Sequence, residues 1–450
     1  MTHSFAADNA VPQSEDSSEP SLEHCTVVEH STVVKHSTVV ERSTVVEPSA
    51  AGTALGAFGM AGLVGVFALL LHMLGQNSPR IGPGYAGWAP DTIDPPLAAL
   101  RWFLGDMTEP LFFKSDLAAL GLLGGALVAW RIGRRGPTWA GTLSYGSGLW
   151  PWVLASASLS LMLSNLAFGW LLDDDWQPTF VPFVCVAPAM VLLYGAGWRT
   201  CITGAVLGAA TTTPLALLFI PTLSASLGLP AVVASVAAMS VGSVISFQIA
   251  RWVPWLVLRD TRETGEVQEV RMAREVGEGH PATRLELPPS GLNRNITADV
   301  GWAARRVLKD FTETHFFANE LAGAGVILAV AAAFVLNPGL PFYGTGLLPH
   351  ILFAQALTSA IGVVLWRGWY RDSGWAATYA SVVSVAPASV LAYDGSWQGM
   401  VGGALLGAVL APPLARAISV RLPLGFHPVI GNTAAMAIST AVTLPVLGLL

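Results

Sequence analysis

The stretch V-A-P-A-M-V-L-L-Y-G-A-G-W at residues 186–198 occurs a second time as V-A-P-A-S-V-L-A-Y-D-G-S-W at residues 385–397. Each copy is followed by a G-A-x-L-G motif and then by P-L-A, in the same register. Because so many Gly, Pro and aromatic positions coincide, the similarity is not accidental. The chain therefore contains an internal duplication.

The duplication extends upstream of this stretch. Y-G-S-G-L-W-P from Tyr145 matches Y-G-T-G-L-L-P from Tyr343, and D-M-T-E-P-L-F-F-K-S-D-L-A from Asp106 matches D-F-T-E-T-H-F-F-A-N-E-L-A from Asp310. The first repeat is thus expected to occupy residues 97–250, and the second residues 301–450.

The composition places the protein in the membrane. Of 450 residues, 53% are hydrophobic and only 12% are charged, with a mean hydropathy of +0.56, whereas about a quarter of a soluble domain is charged. Cys25, Cys185 and Cys201 lack metal-type spacing, so we expect neither a disulfide nor a metal site. No catalytic or nucleotide-binding motif is present, which predicts a protein that is not an enzyme and needs no cofactor.

Eleven apolar runs are long enough to suggest helices that cross a bilayer, which needs about 20 residues. They begin near residues 53, 115, 147, 180, 199, 229, 317, 346, 375, 398 and 429. The first run, 51–76, lies outside the duplication and is predicted to be an extra transmembrane helix. Residues 1–50, with their hexapeptide repeat, are expected to form a disordered cytosolic tail, and residues 251–300 a charged cytosolic linker.

The positions of the basic residues indicate the orientation. With eleven crossings and a cytosolic N-terminus, most Lys and Arg fall on the cytosolic side, as the positive-inside rule requires. The predicted location is the plasma membrane, with the C-terminus outside the cell. Five crossings in each repeat is an odd number, so the second repeat must be inverted relative to the first, an architecture that many transporters use.

The start of each repeat carries the candidate solute pathway. A short segment that contains both acids and aromatic pairs suggests a half-helix that enters the membrane from each face, because irregular backbone at that depth must line a cavity or be buried in protein. An amphipathic helix lying at each interface is the alternative, and the sequence does not choose between them. The pathway residues would be Thr108, Glu109, Phe112, Phe113, Thr312, Glu313, Phe316 and Phe317.

Three further acids are possible ion or polar sites: Asp116, Glu320 and Asp394. An ionisable residue within membrane helices is a functional hypothesis by default, but Asp394 lies near a predicted helix end, which favours a solvated loop acid. The linker alternates basic and acidic residues, which excludes a continuous nucleic-acid-binding face.

In its order of features the chain resembles the urea transporter family of urea channels. The resemblance is carried by T-E-P-L-F-F from Thr108, T-E-T-H-F-F from Thr312, the Tyr-Gly-containing stretches from Tyr194 and Tyr393, and H-P-V-I-G-N from His427. It implies two inverted five-helix units, a homo-oligomer, and a path in which Glu109 and Glu313 face the solute while phenylalanines form a slit. The chain departs from the family where Lys114, Ser115 and Asp116 stand in place of its usual Asn-Asn-Pro.

The sequence leaves three functions open. A passive channel or facilitator for a small polar solute is the first, and an ion-coupled secondary transporter is the second. The third is a membrane scaffold that does not transport and whose linker recruits cytosolic partners.

Overall fold

The computed structural model describes residues 49–88, 96–136, 139–171, 178–259, 296–372 and 375–450, and in these ranges all regular structure is helical. Almost all of the predicted tail and most of the predicted linker lie outside the described residues. The main helices are α1 (Ala50–Gly75), α2 (Pro96–Thr108), α3 (Asp116–Arg134), α4 (Trp150–Phe168), α5 (Val186–Tyr194), α6 (Trp198–Phe219), α7 (Ala231–Ala250), α8 (Ile296–Glu313), α9 (Glu320–Leu336), α10 (Leu348–Leu365), α11 (Val385–Ala392), α12 (Gly403–Ser419) and α13 (Val429–Gly448).

The helices make this a membrane protein. Among the described residues, eight helices are long and apolar enough to cross a bilayer, and three apolar segments, Val181–Tyr194, Glu320–Leu336 and Tyr379–Ala392, are shorter. Together these segments coincide with the eleven predicted runs. The prediction of a helical membrane protein is confirmed, with eight rather than eleven segments of full spanning length.

A helical hairpin opens each half of the molecule. In the first, Phe112 and Lys114 adopt left-handed backbone conformations with φ of 65° and 42°, and they turn the chain from α2 into α3. The Thr108 hydroxyl donates to the carbonyl of Ser115 at 3.1 Å and accepts from its backbone N–H at 3.0 Å. The Ser115 side chain then caps α3 by accepting from Ala118, so the tight turn leaves few backbone groups without partners.

The second hairpin repeats this construction. Phe316 and Ala318 are left-handed, with φ of 62° and 47°, and Thr312 makes the same pair of hydrogen bonds with Asn319. Asn319 caps α9 by accepting from the backbone of Leu321 and Ala322. The equivalent segments of the duplicated sequence therefore fold in the same way.

The second helices of the two hairpins, α3 and α9, cross each other in opposite directions. Gly121 lies against the backbone of Gly325, whereas Gly125, further along α3, lies against Leu321, which is earlier in α9. Gly121 and Gly325 are equivalent positions in the duplication, so the contact is self-complementary. Small residues at such crossings allow close approach of membrane helices.

Two shorter helices, α5 and α11, each begin directly after a break in helical geometry, and the two breaks lie at equivalent points. Non-helical backbone at Cys185 and Ser384, each with φ of −139°, precedes α5 and α11. Pro188 and Pro387 therefore lie in the first turn of a helix, where a missing N–H costs little. The glycines of the G-A-x-L-G motifs are in close contact with these interrupted segments, as where Gly204 packs on Met190, so their role is helix packing.

The extra helix α1 packs on the second half. Its Gly56 lies against the backbone of Val300 in α8, and His72 makes an edge-to-face contact with His350 of α10 at 5.5 Å. The backbone N–H of Ser49, at the start of α1, donates to Asp299 at 2.9 Å. Helix α1 therefore has no counterpart in the duplicated sequence but is part of the folded body.

Candidate functional site

The two hairpin turns lie close to the Tyr-Gly loops of the opposite half. The backbone N–H of Phe342 donates to the carbonyl of Phe113 at 2.8 Å, and that of Ser144 donates to the carbonyl of Phe317 at 3.0 Å. These are equivalent pairs in the duplication, so each half holds the other by the same bond. The sequence motifs at Tyr145 and Tyr343 thus anchor the hairpins.

A cavity of about 270 Å³ lies between the halves, beside the first hairpin. Its walls come from both hairpin turns, the segments preceding α5 and α11, α11 itself, the first halves of α7 and α13, the short helix Tyr85–Trp88 and the loop at Tyr343. Of the residues predicted for the solute pathway, Glu109 and Phe112 line it, together with Thr314, which follows Glu313. Glu109 is the one lining residue, among those described, whose side chain ordinarily carries a charge at neutral pH.

Glu109 belongs to a buried polar cluster. The Tyr343 hydroxyl donates to its Oε1 at 2.6 Å, and the Lys114 ammonium lies 3.8 Å from its Oε2. Lys114 makes its closest ion pair with Asp106 and lies 3.7 Å from the centre of the Trp102 ring. Asp106 and Glu109 therefore share one ammonium group inside the protein.

Glu313, the equivalent of Glu109, is in a different environment. It accepts hydrogen bonds from Arg306 and from the Trp375 indole, and Arg306 also bonds Asp310 at 2.7 Å. Glu313 is 1% exposed and does not line the cavity. The structure thus places only one of the two predicted acids at the cavity wall.

The other residues predicted for the solute pathway lie in the hairpin turns or in the packed core. Thr108 and Thr312 bond across the bases of the hairpin turns, and Phe113 and Phe317 are fully buried in the core. Phe316 is also buried, with its ring 5.6 Å from the imidazole of His427. None of these side chains lines the cavity.

The possible ion sites lie outside the cavity. Asp116 pairs with Arg101 at 2.9 Å, and Glu320 pairs with Arg305 at the equivalent position. Asp394 is exposed and left-handed, with φ of 47°, a conformation that Asp tolerates better than most residues. Its position therefore agrees with a solvated loop acid.

Most of the aromatic residues that line the cavity were not among those predicted for the solute pathway. Tyr85, Phe180, Tyr343 and Tyr379 surround the cavity with Phe112. The Y-G-x-G repeat identifies Tyr343 as a position of interest, but nothing in the local sequence brings Tyr85 or Tyr379 to it. In the part of the chain that the structure describes, no three His, Cys, Asp or Glu residues are grouped so as to hold a metal ion.

No family model matches the chain, and no curated protein matches it either. What the cavity does is therefore inferred from its walls.

Proposed function

We propose that the protein is a plasma-membrane channel or facilitator for a small polar solute, with the cavity between its halves forming part of the pathway. The observation that carries this proposal is the position of Glu109, a buried carboxylate at the wall of a cavity that both halves line. Burying a charge is costly, and an ionisable side chain within a membrane protein commonly marks the route of a solute.

The architecture in this proposal is an inverted pair of five-helix repeats, with eleven crossings in total. It is supported by the antiparallel crossing of α3 and α9 at Gly121 and Gly325, since only a two-fold axis perpendicular to the helices relates antiparallel equivalents. It is also supported by the paired hairpins. In transporters with inverted repeats, the solute site commonly lies where the repeats meet.

The resemblance to urea channels belongs to the same proposal. The helical hairpin at the start of each half, which contains Glu109 or Glu313, agrees with the re-entrant half-helices of that family. A homo-oligomer with a pathway in each subunit, a cytosolic N-terminus and an external C-terminus complete the hypothesis.

An ion-coupled transporter is the second candidate. The buried ion pairs at both hairpins favour it, because Asp106 and Glu109 share one ammonium group in the first half. Binding of a proton or a metal cation at such a cluster would link solute movement to an ion gradient.

Flux in proteoliposomes tests the first candidate. We expect labelled urea, acetamide or glycerol to equilibrate faster than in protein-free vesicles, and Glu109→Gln to change the rate at least several-fold. Asp394→Asn, which makes the same acid-to-amide change on an exposed turn, should leave the rate unchanged. Each variant is first checked for a monodisperse size-exclusion profile.

Imposed gradients separate the candidates. A rate that follows the solute gradient alone supports the channel, whereas uphill uptake driven by a proton or sodium gradient supports the coupled transporter. If none of the three solutes crosses faster and deletion of residues 260–298 abolishes the cellular phenotype, the scaffold replaces both.

A further inference from the structure

The walls of the cavity suit a particular kind of occupant. Five aromatic rings, those of Tyr85, Phe112, Phe180, Tyr343 and Tyr379, line it together with valine, methionine and alanine side chains. Aromatic faces carry partial negative charge and attract cations. A carboxylate beside such rings forms a site that favours a positively charged group with N–H donors.

The charge balance around Glu109 points the same way. Lys114 lies closer to Asp106 than to Glu109, and Asp106 also accepts hydrogen bonds from Thr179 at 2.6 Å and Asn165 at 3.1 Å. In the part of the chain that the structure describes, these ion pairs join two carboxylates to one ammonium group. Of these three ionisable groups, Glu109 is the one that lines the cavity, so a cationic group bound in the cavity would be attracted to it.

The size and polarity of the cavity limit the rest of the occupant. The cavity volume of about 270 Å³ is several times the roughly 30 Å³ that one water molecule takes up in the liquid. A solute of four heavy atoms would fill little of it. The apolar side chains from α7 and α13 favour an occupant with an apolar body, because they offer such a body dispersion contacts and shelter from water.

We propose that the cavity binds an organic cation that has N–H donors, a guanidinium or primary ammonium head, at Glu109 and a small apolar body against the aromatic and aliphatic walls. This inference rests on the proposed function insofar as the cavity belongs to the solute pathway. The inference names the chemical class of the solute. Unlike a neutral amide, this solute must carry a positive charge.

Among the residues that the structure describes, the equivalents of Glu109 and Phe112 in the second half do not form such a site. Glu313 contacts Arg306 and Trp375 instead of a cavity wall, and Phe316, the equivalent of Phe112, is covered by His427. Each chain therefore binds one cation, on the side of the first hairpin.

A pair of probes of nearly equal shape isolates the role of charge. Benzylguanidinium and benzylurea both carry N–H donors and the same benzyl group, but only the first is cationic at neutral pH. Titration calorimetry on the purified full-length protein in detergent should give a dissociation constant about ten- to hundredfold lower for benzylguanidinium, the difference expected for hydrogen bonds to a charged group. The expected stoichiometry is one per chain.

Two variants locate the site. Glu109→Gln should weaken benzylguanidinium binding by about tenfold or more while leaving benzylurea binding nearly unchanged. Leu391→Trp fills the cavity wall without touching the ion cluster, and should weaken both probes. Asp394→Asn is the matched control and should bind both probes as the wild type does. A shared thermal unfolding profile shows that the variants are folded.

The outcomes separate this inference from the proposed function. Equal affinity for both probes, or full benzylguanidinium binding by Glu109→Gln, overturns the cation site even if urea or glycerol crosses the vesicles. Binding of benzylguanidinium that depends on Glu109 supports the cation site, even where no flux of any solute is measured and the channel is thereby rejected.

Discussion

Lys114 and Arg306 neutralise equivalent acids from different places in the two halves. In the first half Lys114 follows the hairpin turn and lies over Trp102, whereas in the second half Ala318 and Arg306 occupy the equivalents of Lys114 and Trp102. Arg306 reaches Asp310 from one helical turn earlier, as i, i+4 spacing on a helix allows. The cationic residue thus stands at a different position in each repeat, but each pair of buried carboxylates has a cationic side chain beside it.

This exchange gives a prediction about stability. Lys114→Ala should lower the free energy of unfolding by about 3–5 kcal/mol, because the partner carboxylates remain buried without their ammonium group. The double variant Lys114→Ala/Trp102→Arg, which copies the arrangement of the second half, should recover most of the loss. Thermal unfolding of the detergent-solubilised protein measures both. A double variant no more stable than the single one would show that the two halves do not use interchangeable cations.

At the scale of elements, the crossing of α3 with α9 depends on the absence of side chains. A Cβ atom at Gly121 would lie 2.3 Å from the Ala329 Cβ and 2.3 Å from the Gly325 carbonyl oxygen. Because one of those neighbours is backbone, it cannot rotate away, so the helices themselves would have to separate. The same helix contains Gly124, which has nothing within 4 Å of its Cβ position.

The two glycines form a matched pair of tests. Gly121→Ala should destabilise the protein by about 1–3 kcal/mol through overpacking. Gly124→Ala should leave stability unchanged or raise it by up to about 1 kcal/mol, since alanine favours helix. Unfolding temperatures of the two variants in the same detergent provide the comparison. Equal temperatures for both would mean that the α3–α9 contact contributes little to the fold.

At the scale of the whole molecule, a cavity lies beside the first hairpin, whereas side chains pack against the second hairpin. The difference arises because equivalent positions in the two halves carry different side chains. On the side of the second hairpin, His427 packs on Phe316 and stacks on Phe247 at 6.4 Å. Helices α7 and α13 correspond from first to last residue, so the equivalent positions in the other half are Leu229 and Pro445, which have no aromatic ring. A duplicated backbone thus leaves space beside one hairpin and fills it beside the other.

The proposed inversion is tested by labelling from the two sides of the membrane. Ser226 and Leu424 lie in equivalent turns and both are exposed, Leu424 by 74%. In a cysteine-free background, Ser226→Cys should react with an impermeant maleimide from outside intact cells. Leu424→Cys should react only after permeabilisation. Reaction of both from the same side would refute the inverted repeat.

The sequence by itself determined that this is a helical membrane protein, where its apolar segments lie and that its two halves correspond, because these properties are recorded in local composition and in a repeated string. It also singled out Glu109 and Phe112 at the hairpin. Only the tertiary structure decided that Glu109 lines a cavity while Glu313 contacts Arg306 and Trp375. The reason is physical: both acids belong to the same short motif, but part of their surroundings comes from distant side chains, Tyr343 at Glu109 and Trp375 at Glu313, which local patterns do not specify.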